Sequence, residues 1–289
     1  MFKHSHFDLR LHATEELEAV LGERISERRE VHGWPLSLVE RLTTASGAHW
    51  IYKSQHAPTL EPDFYRLARS PVLTGGRLLS RDDVYSAMLF EFVDAPLLRD
   101  LQPSDGELLR HGRALMGEIG KINRDVPVYI DISTWSLWRD FLDSTLDALS
   151  DLVATERLSL TLDRSFDRGE IERWAGSDAV RRLIEQTSRL THGDLKPDNI
   201  FVTADGYKII DWQRPQLAPA EVDLVSMLEG SPSLFDHAPA PAIGVFYFLR
   251  LFWAVEAKAN LLPGIDRLFD RWASEAIGFI RRAAELGGK

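Results

Sequence analysis

The first third of the chain carries short runs in which apolar, β-branched and aromatic residues dominate, and such runs predict β-strands. Three of them lie at residues 25–31, 36–43 and 48–53, and a fourth lies at residues 86–93. The fourth run ends at Asp94-Ala95-Pro96, where proline breaks the pattern. A short helix over residues 15–21 is predicted before them, with Thr14 as its cap and Gly22 at its end.

Farther along the chain the apolar positions recur every three to four residues, which is the period of an α-helix. Leu108, Leu115, Ile119 and Ile122 have this spacing. Helices are predicted at residues 107–124, 136–153 and 179–190, and two more within residues 243–286, separated at Pro263-Gly264. We therefore expect an α+β chain with a β-rich first part and a mostly helical remainder.

The composition fits a globular protein with a substantial core. Of the 289 residues 44% are hydrophobic and 27% are charged, and this length suits one large domain or two lobes. The absence of cysteine excludes disulfides, thiolate metal sites and thiol catalysis. Because the first residues contain no apolar signal core either, the expected location is the cytoplasm.

Partners are limited by the charge and by the longest apolar stretch. Residues 242–254 are apolar, but Arg250 interrupts them and Glu256 and Lys258 follow. This stretch is too short to span a bilayer, so we expect a buried helix and no membrane partner. The net charge of −10, from 34 basic and 44 acidic residues, argues against a nucleic-acid partner and favours a cationic substrate.

Residues 191–213, THGDLKPDNIFVTADGYKIIDWQ, carry candidate chemistry. Phosphoryl transfer needs an acid that receives a proton from a hydroxyl, and an amide and a carboxylate that hold Mg²⁺. A lysine near the transferred phosphate is often present as well. Asp194, Asn199, Asp211 and Lys196 supply these groups within one segment. We therefore interpret the segment as a kinase catalytic loop.

The spacing of these residues has a structural explanation. Residues 200–203 and 207–210 read as two strands joined by a turn at Ala204-Asp205-Gly206. Antiparallel strands bring their outer ends together, so Asn199 and Asp211 are expected to meet and to bind a divalent ion. His192 is expected to be a buried residue that braces the loop rather than a proton carrier.

The segments HGDLKPDN and IIDWQ resemble the aminoglycoside phosphotransferase and choline kinase-like family, which is related to the protein kinases. The resemblance implies a bilobal protein kinase-like fold, with a small β-rich N-lobe over residues 1–93 and a larger, mostly helical C-lobe over residues 94–289. It also implies ATP and Mg²⁺ as cofactors, Asp194 as catalytic base, and Asn199 and Asp211 as metal ligands. Lys196 has its precedent in the Ser/Thr protein kinases, which are similar at Leu-Lys-Pro-Asp-Asn.

The same resemblance assigns residues that bind the nucleotide. Lys53 ends the third strand, where kinases place a lysine that contacts the α- and β-phosphates. Glu61 is the candidate acid that pairs with Lys53. Asp63 is a rival, because Pro62 indicates that a helix only begins at this point. Phe92 and Val93 would form the hinge whose peptide groups bond adenine.

Two further positions bear on the resemblance. Asp223 opens a later helix, where it either braces the catalytic loop or only interacts with the helix dipole. Residues 30–37, which should cover the phosphates, contain a single glycine together with Trp34 and Pro35. They therefore depart from the Gly-rich loop of the protein kinases.

The acceptor is expected to be a small alcohol. Only residues 212–222 separate Asp211 from Asp223, and no Ala-Pro-Glu motif follows, whereas protein kinases need a longer segment here to hold a polypeptide. A helical insert over residues 131–177 suits a closed pocket for such a molecule. Two alternatives stay open: a protein Ser/Thr kinase, which Lys196 favours, and a nucleotide-binding pseudokinase, which the poor glycine loop favours.

Overall fold

The structure, a computed structural model, describes residues 1–4, 7–123, 125–162, 165–265 and 267–287. The chain forms two compact units. The first consists of Met1–Gln102, Lys121–Tyr129 and Pro197–Pro215, and the second of Pro103–Gly120, Ile130–Lys196 and Gln216–Lys289. The division predicted at residue 93 differs from this one because it assigns residues 94–102, 121–129 and 197–215 to the helical part.

The secondary structure consists of strands of two to ten residues and α-helices of four to twenty residues. The strands are β1 (Phe2–Lys3), β2 (Arg10–Leu11), β3 (Ile25–Trp34), β4 (Ser37–Thr44), β5 (His49–His56), β6 (Gly76–Arg81), β7 (Tyr85–Glu91), β8 (Ile130–Asp131), β9 (Ser188–Thr191), β10 (Ile200–Thr203), β11 (Gly206–Ile209) and β12 (Gln216–Pro219). The α-helices are α1 (Thr14–Leu21), α2 (Glu61–Leu67), α3 (Asp105–Ile119), α4 (Trp135–Ala154), α5 (Arg168–Ala175), α6 (Asp178–Thr187), α7 (Glu221–Met227), α8 (Leu234–His237), α9 (Ala240–Glu256) and α10 (Leu268–Gly287).

The first unit is built on a five-stranded sheet in the order β3-β4-β5-β7-β6, in which every neighbouring pair is antiparallel. The four predicted strands are confirmed as β3, β4, β5 and β7. Strand β6 is not predicted, because all of its residues are exposed or half-buried and they give no apolar run. The predicted hairpin is confirmed as β10 and β11. It joins this unit through isolated bridges from Leu73 to Ile209 and from Leu97 to Phe201.

Helix α1 covers part of the sheet. Its Leu17 is fully buried in a cluster with Leu38, Leu42 and Tyr52 of the sheet. The helix was expected to be capped by Thr14, which is wrong. The cap is at Ala13, whose N–H donates to the Glu16 carboxylate at 2.7 Å, so an acid inside the first turn replaces a capping hydroxyl. Gly22 ends the helix as predicted, with φ of +72°.

The second unit is mostly helical and contains a small sheet in the order β8-β12-β9. The predicted helix over residues 179–190 is confirmed as α6 but ends at Thr187, because Ser188–Thr191 pairs with β12 as β9. Helices α9 and α10 confirm the two predicted late helices on either side of Pro263-Gly264. The helical stretch Ala240–Leu261 has the length and apolar composition of a membrane span, but 67% of its apolar 18-residue window is buried inside the protein, as in a core helix.

Candidate active site

Lys53, in β5, holds its ammonium group between two carboxylates of the same unit. Its Nζ lies 2.6 Å from Glu61 Oε2 and donates to Asp211 Oδ1 at 2.6 Å. Lys53 and Glu61 are buried, whereas 37% of the Asp211 side chain is exposed. The lysine is therefore fixed from inside the unit, and the Asp211 carboxylate beside it is accessible.

This site holds one positively charged side chain, Lys53, and two acidic side chains, Glu61 and Asp211. Burial alone would lower the pKa of Lys53, but Asp211 and Glu61 raise it above its usual value, so the lysine stays charged. Burial raises the pKa of Glu61, which Lys53 opposes and the charge of Asp211 reinforces. Because two carboxylates share one ammonium group, a divalent cation beside Asp211 would offset the excess negative charge.

The acid that pairs with Lys53 is Glu61 and not its rival. Asp63 instead bonds Arg81 at 2.7 Å and Arg66 at 3.2 Å. Helix α2 begins at Glu61, as Pro62 indicated, so the first residue of the helix points to Lys53 while Asp63 faces the surface arginines. The two acids therefore have separate partners.

The hairpin of β10 and β11 places Asn199 and Asp211 at its open end, as predicted. Ile200 pairs with Ile209 in register, and the N–H of Ile210 donates to the carbonyl of Asn199 at 3.0 Å. Asn199 closes a turn of 3₁₀ helix that begins at Pro197. The hairpin thus fixes the spacing between the amide and the carboxylate.

Packing holds Asp211 in an uncommon backbone conformation. Its φ is +70°, which costs a residue other than glycine about 1–3 kcal/mol. Trp212, next in the chain, is fully buried, and its indole N–H donates to the carbonyl of Ile209 at 3.1 Å. Its ring stacks on Phe64, with 4.4 Å between ring centroids. Because Phe64 belongs to α2, the same helix supports the turn at Asp211 and supplies Glu61.

Asn199 and Asp211 offer the oxygen ligands that Mg²⁺ prefers. Within the described part of the chain, no group of three or more His, Cys, Asp or Glu side chains is arranged to hold a metal ion. A cation here would therefore complete its coordination with other oxygens, such as those of phosphate and water. This donor set fits a magnesium–nucleotide complex rather than a structural metal.

In the second unit, Asp223 of α7 braces the start of the catalytic loop. Its Oδ2 accepts a hydrogen bond from the N–H of His192 at 2.9 Å, and its Oδ1 accepts one from the N–H of Gly193 at 3.0 Å. Asp223 is 1% exposed, and burial raises its pKa. His192 is also buried, and its Nδ1 accepts from the N–H of Asp194 at 3.3 Å. Asp223 and His192 therefore hold the loop in its conformation. For Asp223, this is the first of the two predicted alternatives, a brace for the catalytic loop.

Asp194 lies beside two cations. Its Oδ1 accepts a hydrogen bond from Arg250 Nη2 at 2.8 Å and lies 3.3 Å from Lys196 Nζ. Partial burial would raise the pKa of Asp194, but Arg250, Lys196 and His192 together lower it to about 2. The carboxylate is therefore ionised at neutral pH, and 41% of the side chain is exposed.

Two residues beside Asp194 are not predicted from the sequence. Arg250, in α9, also donates to Glu229 Oε2 at 2.8 Å, and Lys196 Nζ lies 3.2 Å from the same oxygen. The sequence holds one signal for Arg250, which is a lone charge within an apolar run. Glu229 follows α7 and belongs to no motif, so nothing in the sequence distinguishes it from a solvated acid.

The predicted hinge residues and the segment predicted to cover the phosphates have simpler surroundings. Phe92 and Val93 follow β7, both are half-buried, and the Phe92 ring lies 5.2 Å from the ring of His49. Their contact with adenine stays a prediction. Residues 30–34 are not a loop, because β3 and β4 pair as far as Trp34 and Ser37. The expected phosphate cover is thus a tight hairpin.

The predicted residues divide between the units. The first unit holds Lys53, Glu61, Phe92, Val93, Asn199 and Asp211. The second holds Asp194 and Lys196, together with Asp223, Glu229 and Arg250. The chain passes from the second unit into the first between Lys196 and Pro197, within the catalytic loop.

A family model described as the phosphotransferase enzyme family, APH, matches residues 13–259, most of the chain. The chain belongs to this family. The membership confirms the resemblance stated for HGDLKPDN and IIDWQ, and it confirms the predicted enzyme class, a phosphotransferase acting on hydroxyl groups. A search of curated proteins finds no similar sequence.

Several solved structures share the fold of this APH family member. A choline/ethanolamine kinase family protein from Mesorhizobium loti is 18% identical, with a TM-score of 0.60 over 91% of this chain and 89% of that one. APH(2″)-IIa, in a ternary complex with streptomycin and ATP, is 16% identical, with a TM-score of 0.57 over 95% of this chain and 99% of that one. The macrolide 2′-phosphotransferase MphH from Brachybacterium faecium is 14% identical, with a TM-score of 0.56 and coverage of 90% and 95%. These likenesses confirm the kinase-like fold.

Proposed function

We propose that this phosphotransferase moves the γ-phosphoryl group of MgATP to a hydroxyl group of a small molecule. The observation that carries the proposal is the ion-paired set of Lys53, Glu61 and Asp211. A lysine held by a buried acid, with an accessible carboxylate at 2.6 Å, is suited to an anionic ligand that arrives with a divalent cation.

The first unit would bind the nucleotide. Lys53 would contact its phosphates, Asn199 and Asp211 would hold Mg²⁺, and the peptide groups of Phe92 and Val93 would bond adenine. Bound Mg²⁺ would neutralise charge on the phosphate oxygens. Glu61 keeps Lys53 in place and charged.

The second unit would bind the acceptor. Asp194 orients the hydroxyl and receives its proton as the oxygen forms a bond to the γ-phosphorus and the bond from that phosphorus to the bridging oxygen of ADP breaks. Since the pKa of Asp194 is lowered to about 2, it is a weak base, and its main contribution is orientation, with proton transfer late in the reaction. Lys196 would stabilise negative charge on the transferred group.

A small acceptor is supported by the chain that follows Asp211. In protein kinases this region must hold a polypeptide, but here β12 occupies residues 216–219 and pairs with β8 and β9. The named structural neighbours include a streptomycin complex and a macrolide phosphotransferase. The net charge of −10 favours a cationic acceptor, and the absence of cysteine suits the cytoplasm.

The test is a screen in which ADP release from MgATP is measured with aminoglycosides, macrolides, choline, ethanolamine, sugars and nucleosides. We expect Mg²⁺-dependent release with at least one of them, and a phosphorylated product by mass spectrometry. A parallel radiolabel assay with protein substrates should stay negative. Nucleotide binding without release in any reaction would indicate a pseudokinase, and labelled protein would indicate a protein kinase.

A further inference from the structure

Four charged side chains of the second unit form what we call the Asp194 cluster: Asp194, Lys196, Glu229 and Arg250. Arg250 Nη2 donates to Asp194 Oδ1 and to Glu229 Oε2, each at 2.8 Å. Lys196 Nζ lies 3.3 Å and 3.2 Å from the same two oxygens. Each cation therefore bridges both carboxylates, and the cluster is a closed ring of four ion pairs.

The ring restricts motion more than separate pairs would. Because both cations meet the same oxygen of each carboxylate, neither carboxylate can rotate without weakening contacts to both Arg250 and Lys196. The two positive charges balance the two negative charges, so the cluster carries no net charge. A carboxylate in such a network is held in one orientation, which is what a group that aligns a hydroxyl requires.

The position of Arg250 is costly for a residue with no role. It lies in α9, whose neighbouring residues are mostly buried and apolar, and its guanidinium lies over the ring of Phe246 at 5.1 Å. Its Nε is buried without a hydrogen-bond partner in the described part of the chain. Leaving one donor of a charged group buried and without a partner is unfavourable unless other interactions compensate.

A purely structural explanation accounts for only part of this arrangement. An Arg250–Glu229 pair alone would tie α9 to the segment that follows α7. The same Nη2 nevertheless also bonds Asp194, and between 25% and 41% of each of the four side chains is exposed. Partly exposed ion pairs add little stability because water screens them. The ring is thus better explained by a need to align the Asp194 carboxylate than by a contribution to the stability of the fold.

We propose that Arg250 and Glu229 are positioning residues that hold the Asp194 carboxylate and the Lys196 ammonium group in the orientation needed for phosphoryl transfer. Arg250 acts directly on Asp194, whereas Glu229 acts through the two cations. The proposal rests on the proposed function, since it assigns a task to groups around the acceptor hydroxyl. It adds two residues that neither the catalytic motif nor the family membership assigns.

The experiment compares Arg250→Met, Arg250→Lys and Glu229→Gln with wild type, using the acceptor that gives turnover in the screen. The matched control is Arg271→Met, which removes an exposed arginine that pairs with Glu275 within α10 of the same unit. We expect Arg250→Met and Glu229→Gln to lower kcat by about 10- to 100-fold while KM for MgATP changes less than about twofold. Arg250→Lys should recover part of kcat, and the control should match wild type.

A second measurement separates positioning from a general loss of structure. ¹³C NMR of labelled aspartate, with the Asp194 signal assigned from Asp194→Asn, follows the ionisation of this carboxyl directly. In wild type and Glu229→Gln it should titrate well below 3.8, the ordinary pKa of an aspartate. In Arg250→Met it should titrate at a higher pH, because the largest cationic influence on Asp194 is gone.

Each result decides the inference. Wild-type kcat in Arg250→Met or Glu229→Gln overturns it, as does a kcat loss that Arg271→Met reproduces, or an Asp194 signal in Arg250→Met that titrates as in wild type. A loss of MgATP affinity equal to the loss of kcat would also overturn it, because that pattern reports a damaged nucleotide site. A wild-type protein that is inactive with every acceptor instead overturns the proposed function, and the inference falls with it.

Discussion

Replacing Asp223 with alanine removes the acceptor of two backbone hydrogen bonds at the start of the catalytic loop. The N–H groups of His192 and Gly193 donate to its two oxygens at 2.9 Å and 3.0 Å. Asp223 is 1% exposed, so water reaches these donors poorly once the carboxylate is gone. The loop between β9 and Asp194 would lose its main anchor.

The size of the effect follows from the number of donors. A buried donor left without a partner costs about 1–3 kcal/mol, so two of them lower the free energy of unfolding by roughly 2–6 kcal/mol. An acid that only interacts with the helix dipole is worth about 0.3–1 kcal/mol. Glu221, in the same first turn of α7, supplies the control, since Glu221→Gln removes a charge but keeps an oxygen for the Thr187 hydroxyl.

Urea unfolding followed by tryptophan fluorescence measures both variants against wild type. We expect a large drop in the midpoint for Asp223→Ala and a small one for Glu221→Gln, with unchanged slopes. Turnover should fall in Asp223→Ala alone, because Asp194 follows the two residues that lose their bonds. Equal losses of stability in the two variants would show that Asp223 does not brace the loop. Its interaction with the helix dipole would then be sufficient to explain an acid at this position.

Three further predictions concern Lys53, Asp194 and two glycines. Lys53→Met should lower kcat/KM for MgATP by about 10²-fold or more, measured by steady-state kinetics, whereas Asp63→Asn should stay near wild type because Asp63 pairs elsewhere. The pKa of Asp194 is lowered from 3.8 to about 2, so ionised Asp194 stabilises the fold by roughly 1 kcal/mol after its exposure is discounted. The advantage of wild type over Asp194→Asn in urea unfolding should be complete at neutral pH and shrink as the pH falls from 3.8 toward 2. Gly244→Ala should destabilise by about 1–3 kcal/mol, since its Cβ would lie 2.3 Å from a tryptophan ring, while Gly278→Ala, with nothing within 4 Å, should stabilise by about 0.5–1 kcal/mol in the same assay.

The local part of the site could be predicted because its geometry depends on neighbours in the sequence. A strand, a turn and a returning strand place Asn199 and Asp211 at one end of a hairpin whatever the rest of the chain does. The long apolar helices were predictable for a similar reason, since periodicity reports burial on one face. The helix cap at Ala13 was not predictable, because the acid that accepts its N–H, Glu16, lies inside the helix.

Residues that come together only in the tertiary fold could not be predicted from the sequence. Arg250 and Glu229 are far from Asp194 along the chain, and an arginine in an apolar run is as consistent with a surface position as with an ion-pair ring. The choice between Glu61 and Asp63 likewise depended on which side of a helix start faces Lys53. Strand β9 replaced the end of a predicted helix because β12 offered it hydrogen-bond partners.

The proposed roles of Asp211 and Asp194 can be measured together, as phosphoryl transfer from MgATP in wild type, Asp211→Ala and Asp194→Asn, with calorimetric MgATP binding on the same samples. We expect that Asp211→Ala folds but loses metal-dependent transfer, and that Asp194→Asn binds MgATP normally while its kcat falls by about 10²-fold or more. Retained transfer in Asp211→Ala, or an unchanged kcat in Asp194→Asn, would contradict these roles.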